Sequence, residues 1–256
     1  HDQDVNFYGE MYDGDRTPAA LLNDLVQSNG ELHGVTLGVF SEWFDDAEET
    51  VVKRNRALLD ELVRKGATVK EIQLPNLNTM RLSHGIKIAS EFASAWDGAY
   101  SSGANLEAAT RVTLGMGRSV TALEVLSAEK LRRYLFGVVD EVFKSGVDAI
   151  MTPTTPMTAP RVPTNFDHAT GESNTGLAVE LLKYVFLGNF LGLPGVAHPI
   201  GFDESNDFMP ISALFTGPQW NEDVLLRLSL CAEETVEEQG WINKAPEGRI
   251  SFYDPK

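Results

Sequence analysis

Short apolar runs predict a strand–helix–strand unit in the first third of the chain. Residues 34–40 (GVTLGVF) form a β-rich run between turn residues, which is typical of a buried strand. Acidic residues at 45–49 suit the start of a helix that extends to about Lys65. A second run, Thr68–Leu74, ends at Pro75. This order predicts two parallel strands joined by a helix.

The middle of the chain shows helical periodicity. Residues 77–118 are predicted to be largely helical, with glycines as interruptions. The clearest helix begins at Thr121, because Thr121-Ala122-Leu123-Glu124 is a capping-box sequence, and Gly146 ends it. Residues 148–152 then predict a strand that leads into a loop rich in proline and threonine.

The C-terminal third predicts one long buried helix, two strands and a final helix. Residues 175–191 are apolar nearly all round a helical projection, which favours a buried helix. Residues 196–200 and 211–216 predict strands, and residues 222–238 predict a helix. The polar residues 1–30 are expected to form an extended lead-in segment with a short helix near 18–27.

The net charge and the composition of the chain exclude some classes of binding partner. The chain carries 21 Lys and Arg against 37 Asp and Glu, a net charge of −16, which argues against nucleic acid or an anionic membrane as a partner. One cysteine, no leader-like N-terminus and no membrane-length apolar run fit an intracellular protein, cytoplasmic or peripherally membrane-associated. No His/Cys spacing suggests a metal, and no cofactor is expected.

The residues alone point to no nucleophile. The chain has no GxSxG elbow, phosphate-binding loop, GxGxxG after a strand, or HExxH motif. His198 lies in a predicted strand, where a hydrogen-bonded core histidine is the simplest interpretation. We therefore assign no catalytic residue, and these patterns alone indicate only an acidic α/β protein.

Two stretches nevertheless resemble the C-terminal half of amidase signature enzymes. The first is VDAIMTPTTPMTAP at 147–160, and the second begins with NFLGLPGVAHPIG at 189–201. MPI at 209–211 and GPQWNE at 217–222 follow, so the pattern spans about seventy-five residues. WFDD at 43–46 and FYD at 252–254 are most similar to the plant-type fatty acid amide hydrolases.

The resemblance implies an α/β fold, with a mixed β-sheet flanked by helices. Residues 1–256 would be the C-terminal portion of a single amidase signature domain. It also implies hydrolysis of the C–N bond of N-acyl amines, such as N-acylethanolamines, by a Ser–Ser–Lys triad. Those residues belong to the family's N-terminal half, and the chain starts with His1, so we expect a truncated fragment that is inactive alone. Its expected partners are the N-terminal half of the same protein, an apolar substrate and a further copy in a homo-oligomer.

The family resemblance places three residues on the wall of the acyl pocket. Counting back from Asn189 gives Phe186, Leu182 and Val179, which share one face of the predicted helix at i, i+3 and i+7. An acidic residue matches Leu182 in amidotransferase glutaminases, whereas leucine fits an acyl chain. The same face could instead be ordinary core. A glutaminase of the glutamyl-tRNA amidotransferase type and a catalytically degenerate binding module remain the alternatives.

Overall fold

The structure is a computed structural model that describes residues 31–162 and 174–241. The strands in these ranges are β1 Thr36–Val39, β2 Thr68–Glu71, β3 Ala149–Pro153, β4 Gly195–Asp203 and β5 Met209–Thr216. The longer helices are α2 Glu49–Arg64, α3 Leu77–Ala95, α5 Ala108–Ser119, α6 Ala122–Lys144 and α9 Glu222–Glu238. The shorter helices are α1 Ser41–Phe44, α4 Asp97–Ser101, α7 Thr175–Leu181 and α8 Phe186–Leu191. The lead-in segment predicted for residues 1–30 lies outside the described residues.

The described chain forms two compact units, each built from separated segments. The first unit comprises residues 31–72, 146–159 and 193–241, and contains all five strands described above. The second unit comprises residues 73–145, 160–162 and 174–192, and is helical.

The first unit contains a mixed sheet in the order β2-β1-β3-β5-β4. Strand β1 is parallel to β2, as the strand–helix–strand pattern predicted. Strand β1 is also parallel to β3. Strand β5 is antiparallel to β3 and to β4. Helices α2 and α9 pack on the sheet and on each other. The predicted mixed α/β sheet flanked by helices is therefore confirmed.

The core of the first unit lies between the sheet and these two helices. Leu58 and Leu62 of α2, Phe215 of β5 and Leu228 of α9 are fully buried there. Each such side chain contributes roughly 1.5–3 kcal/mol by leaving water. Cys231 belongs to the same core, and burial raises the pKa of its thiol to about 11, so the thiol is neutral and acts as a small apolar group.

In the second unit, α3 packs against α5 and α6. The capping box predicted for α6 is present: the Thr121 hydroxyl accepts a hydrogen bond from the Glu124 backbone N–H, and the Glu124 carboxylate accepts one from the Thr121 N–H. Gly117 of α5 lies directly against α3, because a Cβ there would be 2.1 Å from the Ala89 carbonyl oxygen. These two helices therefore pack with their backbones in contact.

The single helix predicted for residues 175–191 is wrong, because the structure divides it into α7 and α8. The Leu182 N–H donates to the Ala178 carbonyl, but the Lys183 N–H donates to Glu180, three residues back instead of four. The carbonyl of Val179, which a continuous helix would pair with Lys183, instead accepts a hydrogen bond of 2.7 Å from the Arg81 guanidinium. A side chain from α3 thus takes the place of a helical hydrogen bond, and the helix ends.

Candidate functional site

The first motif stretch holds the centre of the sheet together. The Asp148 carboxylate accepts a hydrogen bond of 2.7 Å from the Thr36 backbone N–H, which ties the start of β3 to β1. The Asp148 carbonyl accepts another from the Asn221 side chain, just before α9. Beyond β3, the Thr154 N–H donates to the Ser212 carbonyl. These motif residues therefore position the strands of the first unit.

Replacing Asp148 with alanine is expected to destabilise the protein by about 1.5–3 kcal/mol, because it leaves the Thr36 N–H without its charged acceptor. The measurement is the free energy of unfolding in urea, with Asp60→Ala as the matched control. Asp60 is exposed on α2, so its replacement should change stability by no more than about 0.5 kcal/mol. Equal effects of the two substitutions would contradict this role for Asp148.

The residues predicted to line the acyl pocket lie in the second unit, but not on one helix. Val179 is in α7, Leu182 directly follows α7, and Phe186 opens α8. Val179 and Leu182 are 51% and 41% exposed, whereas Phe186 is 1% exposed. The shared helical face that the sequence predicted therefore does not exist. The three residues, which we call the acyl wall, remain a prediction as a binding site.

An imidazole lies next to the acyl wall. The His84 ring of α3 is 6.2 Å from the Phe186 ring and 5.8 Å from the Phe190 ring, measured between centroids. Burial lowers the pKa of His84, which favours the neutral ring. Its Nε2 is buried without a hydrogen-bond partner in the described part of the chain. The imidazole beside Phe186 is therefore in its neutral form.

The charged residues near the acyl wall are paired with each other. The Glu180 carboxylate is 3.7 Å from the Arg81 guanidinium and also pairs with the Lys183 ammonium, which is buried. Burial of a charge is tolerated when an opposite charge accompanies it. This arrangement leaves the exposed side chains of Val179 and Leu182 as the apolar groups available to a ligand.

Sequence reasoning missed the contributions of Arg81 and His84. Both lie in a segment whose glycines suggested irregular helix, yet α3 runs continuously through Gly85. Their spacing of three residues places them on one face of α3. The residues that they contact lie about one hundred residues later in the sequence, and no local sequence pattern predicts such a contact.

Comparison of the sequence with models of protein families identifies the family of the chain. Residues 10–226 match the family model described as Amidase. The chain belongs to the amidase signature family. Its fold agrees with a solved bacterial aryl acylamidase of this family, at a TM-score of 0.69 and 16% identity over 92% of this chain and 50% of that one.

Curated relatives of this amidase signature chain include plant proteins named fatty acid amide hydrolase. The protein from Oryza sativa subsp. indica is 33% identical over 211 residues, or 81% of this chain and 34% of the relative. The protein from Arabidopsis thaliana is 32% identical over 236 residues, or 90% of this chain and 37% of the relative. The A subunit of glutamyl-tRNA(Gln) amidotransferase from Halobacterium salinarum is 24% identical over 88% of this chain and 57% of the relative. The chain spans about a third of the length of the plant relatives.

The described part of this amidase signature chain contains no helix that is both long and apolar enough to cross a bilayer.

Proposed function

We propose that the full-length protein hydrolyses the C–N bond of long-chain N-acyl amines, of the N-acylethanolamine type. The observation that carries the proposal is the higher identity to plant fatty acid amide hydrolases, at 32–33%, than to the amidotransferase relative, at 24%. An apolar residue at Leu182 supports it, because an acyl chain gains free energy against such a surface at about 25 cal/mol per Å².

The proposed reaction uses residues that belong to the N-terminal half of the same protein. A lysine takes a proton from a bridging serine, which in turn takes one from the nucleophilic serine. The nucleophile attacks the acyl carbon while backbone amides hold the oxyanion, and the amine leaves with a proton. Water then releases the fatty acid from the acyl-serine. The 256-residue chain supplies the acyl wall and is inactive alone.

In this proposal the acyl wall binds the chain of the substrate. Val179 and Leu182 offer exposed apolar surface, while Phe186 is buried. A pocket of this type accepts methylene groups and leaves a charged amino acid unpaired. Self-association of the whole protein is a further part of the proposal.

The test compares the full-length protein with the 256-residue chain on a fluorogenic long-chain acyl amide. We expect turnover by the full-length protein and none by the isolated chain, because the nucleophile is missing from the latter. Free glutamine is the control substrate and should not be hydrolysed. Turnover by the isolated chain would place the catalytic serine within these residues and refute the proposal.

A glutaminase is the second candidate, and the observation that favours it is the match to the amidotransferase relative along 88% of the chain. It requires a charged pocket, so hydrolysis of glutamine to glutamate and ammonia, without hydrolysis of the acyl amide, would support it. A degenerate binding module is the third candidate. The upstream reading frame separates it from the enzymes, because a lysine and a Gly-Ser-Ser loop are needed for the proposed chemistry.

A further inference from the structure

We propose that a cleft in the first unit binds a small organic monocarboxylate with an apolar body, and that Arg54 is its anion-binding residue. The cleft has a volume of about 430 Å³. Its lining includes Lys53, Arg54, Ala57, Phe202, Ile211 and Trp241. We call it the carboxylate cleft. It lies within one unit and does not depend on the function proposed above.

The Arg54 guanidinium is held in place by packing. It lies 4.6 Å from the centre of the Trp241 ring, in a cation–π contact. It also packs closely over the backbone of Gly201, where a Cβ would be 3.0 Å from the Arg54 Nε. Because these contacts fix the side chain without using its N–H groups, the hydrogen-bond donors of the guanidinium stay available.

Arg54 has no ion-pair partner among residues 31–162 and 174–241. Burial lowers the pKa of Arg54 and the charge of Glu204 opposes this shift, so the group remains a cation that lacks part of its hydration. A guanidinium in this state binds a carboxylate in a bidentate manner.

The buried carboxylate in the lining is already satisfied by other donors. Asp203 accepts hydrogen bonds from the Ser205 hydroxyl at 2.6 Å, the Ser205 backbone N–H at 2.9 Å and the Thr50 hydroxyl at 3.3 Å. These bonds, with that to the Ser205 hydroxyl the strongest, lower the pKa of Asp203. Asp203 is therefore an anion whose lone pairs are engaged within its own turn and by α2.

The same lining selects the charge and body of the ligand. Asp203 and the exposed Glu204 add negative potential, which repels a dianion such as phosphate more strongly than a singly charged carboxylate. Ala57, Ile211, Phe202 and Trp241 present apolar surface beside the cation. A single carboxylate attached to an apolar or aromatic group matches both features.

The test is isothermal titration of the full-length protein with 4-phenylbutyrate, and with 4-phenylbutanamide as the uncharged analogue. We expect the carboxylate to bind and the amide to bind about tenfold more weakly, since a charge-assisted pair is lost. Arg54→Met should also weaken carboxylate binding about tenfold, whereas Arg64→Met should not. Arg64 is the matched control because it is an exposed arginine at the end of the same helix, paired with Glu61.

Arg54→Lys is the second variant if Arg54→Met does not fold. It keeps the charge but has no planar fork, so several-fold weaker binding is expected. Equal affinity of Arg54→Met and the parent protein, or equal affinity for the carboxylate and the amide, would overturn the proposal. Inorganic phosphate is the third titrant, and tighter binding of phosphate than of 4-phenylbutyrate would also overturn it.

Absence of 4-phenylbutyrate binding at millimolar concentration would also count against the site.

Discussion

Replacing Leu182 with aspartate is expected to lower kcat/KM of the full-length protein for a long-chain acyl amide by about a hundredfold. The new carboxylate would have to lose its water against the acyl chain, and the cations described nearby are already engaged. Lys183 and Arg81 both pair with Glu180. Uncompensated burial of a charge costs several kcal/mol, and each tenfold in rate corresponds to about 1.4 kcal/mol.

Two controls separate this effect from unfolding. Leu226→Asp introduces the same change at a leucine of α9 that is 48% exposed, close to the 41% of Leu182, and should leave kcat/KM within about twofold. The second control is a short acetyl amide, for which Leu182→Asp should lose much less activity than for the long acyl chain. A loss independent of acyl length would remove Leu182 from the pocket. Gain of glutamine hydrolysis would favour the glutaminase.

Gly117→Ala is expected to destabilise the protein by about 3 kcal/mol, the largest effect on stability that we predict for a single methyl group. The added Cβ would lie 2.1 Å from the Ala89 carbonyl oxygen and 2.9 Å from the Ala93 Cβ. The first of these atoms belongs to the backbone of α3, so no side chain can rotate to make room. The two helices must move apart, which disrupts close packing along their contact.

Gly137→Ala is the matched control, because Gly137 is also in a helix and a Cβ there has no neighbour within 4 Å. Its replacement should leave stability unchanged or raise it by about 0.4–1 kcal/mol, since alanine restricts the unfolded chain. The measurement is the urea midpoint of both variants in the full-length protein. If Gly117→Ala proves as stable as Gly137→Ala, α3 and α5 are further apart than described.

The sequence predicts well wherever a signal is local. The capping box locates the start of α6 because both of its hydrogen bonds join residues three apart. The final helix is observed at the predicted residues, 222–238. Strand pairing between β1 and β2 follows from the short helical crossover, which leaves parallel pairing as the natural solution.

Contacts between segments that are far apart in the chain could not be predicted from the sequence. The end of α7 depends on Arg81, which is about one hundred residues earlier and takes the Val179 carbonyl. The carboxylate cleft joins Arg54 to Trp241, nearly two hundred residues apart. The periodicity of apolar residues shows which side of a helix is buried. It does not show that an arginine of another helix will donate the hydrogen bond that a backbone N–H would otherwise supply. The residues of the acyl wall came from family resemblance, and their role in binding is still a prediction.

The discontinuous first unit has a consequence for synthesis of the protein on the ribosome. Strand β3 pairs with β1 on one side and with β5 on the other. Residues 174–192 of the second unit are made after β3 and before β5. During translation, one edge of β3 therefore has no partner until residue 216 has left the exit tunnel. Exposed strand edges recruit other chains, so this interval is when the nascent protein most needs a chaperone.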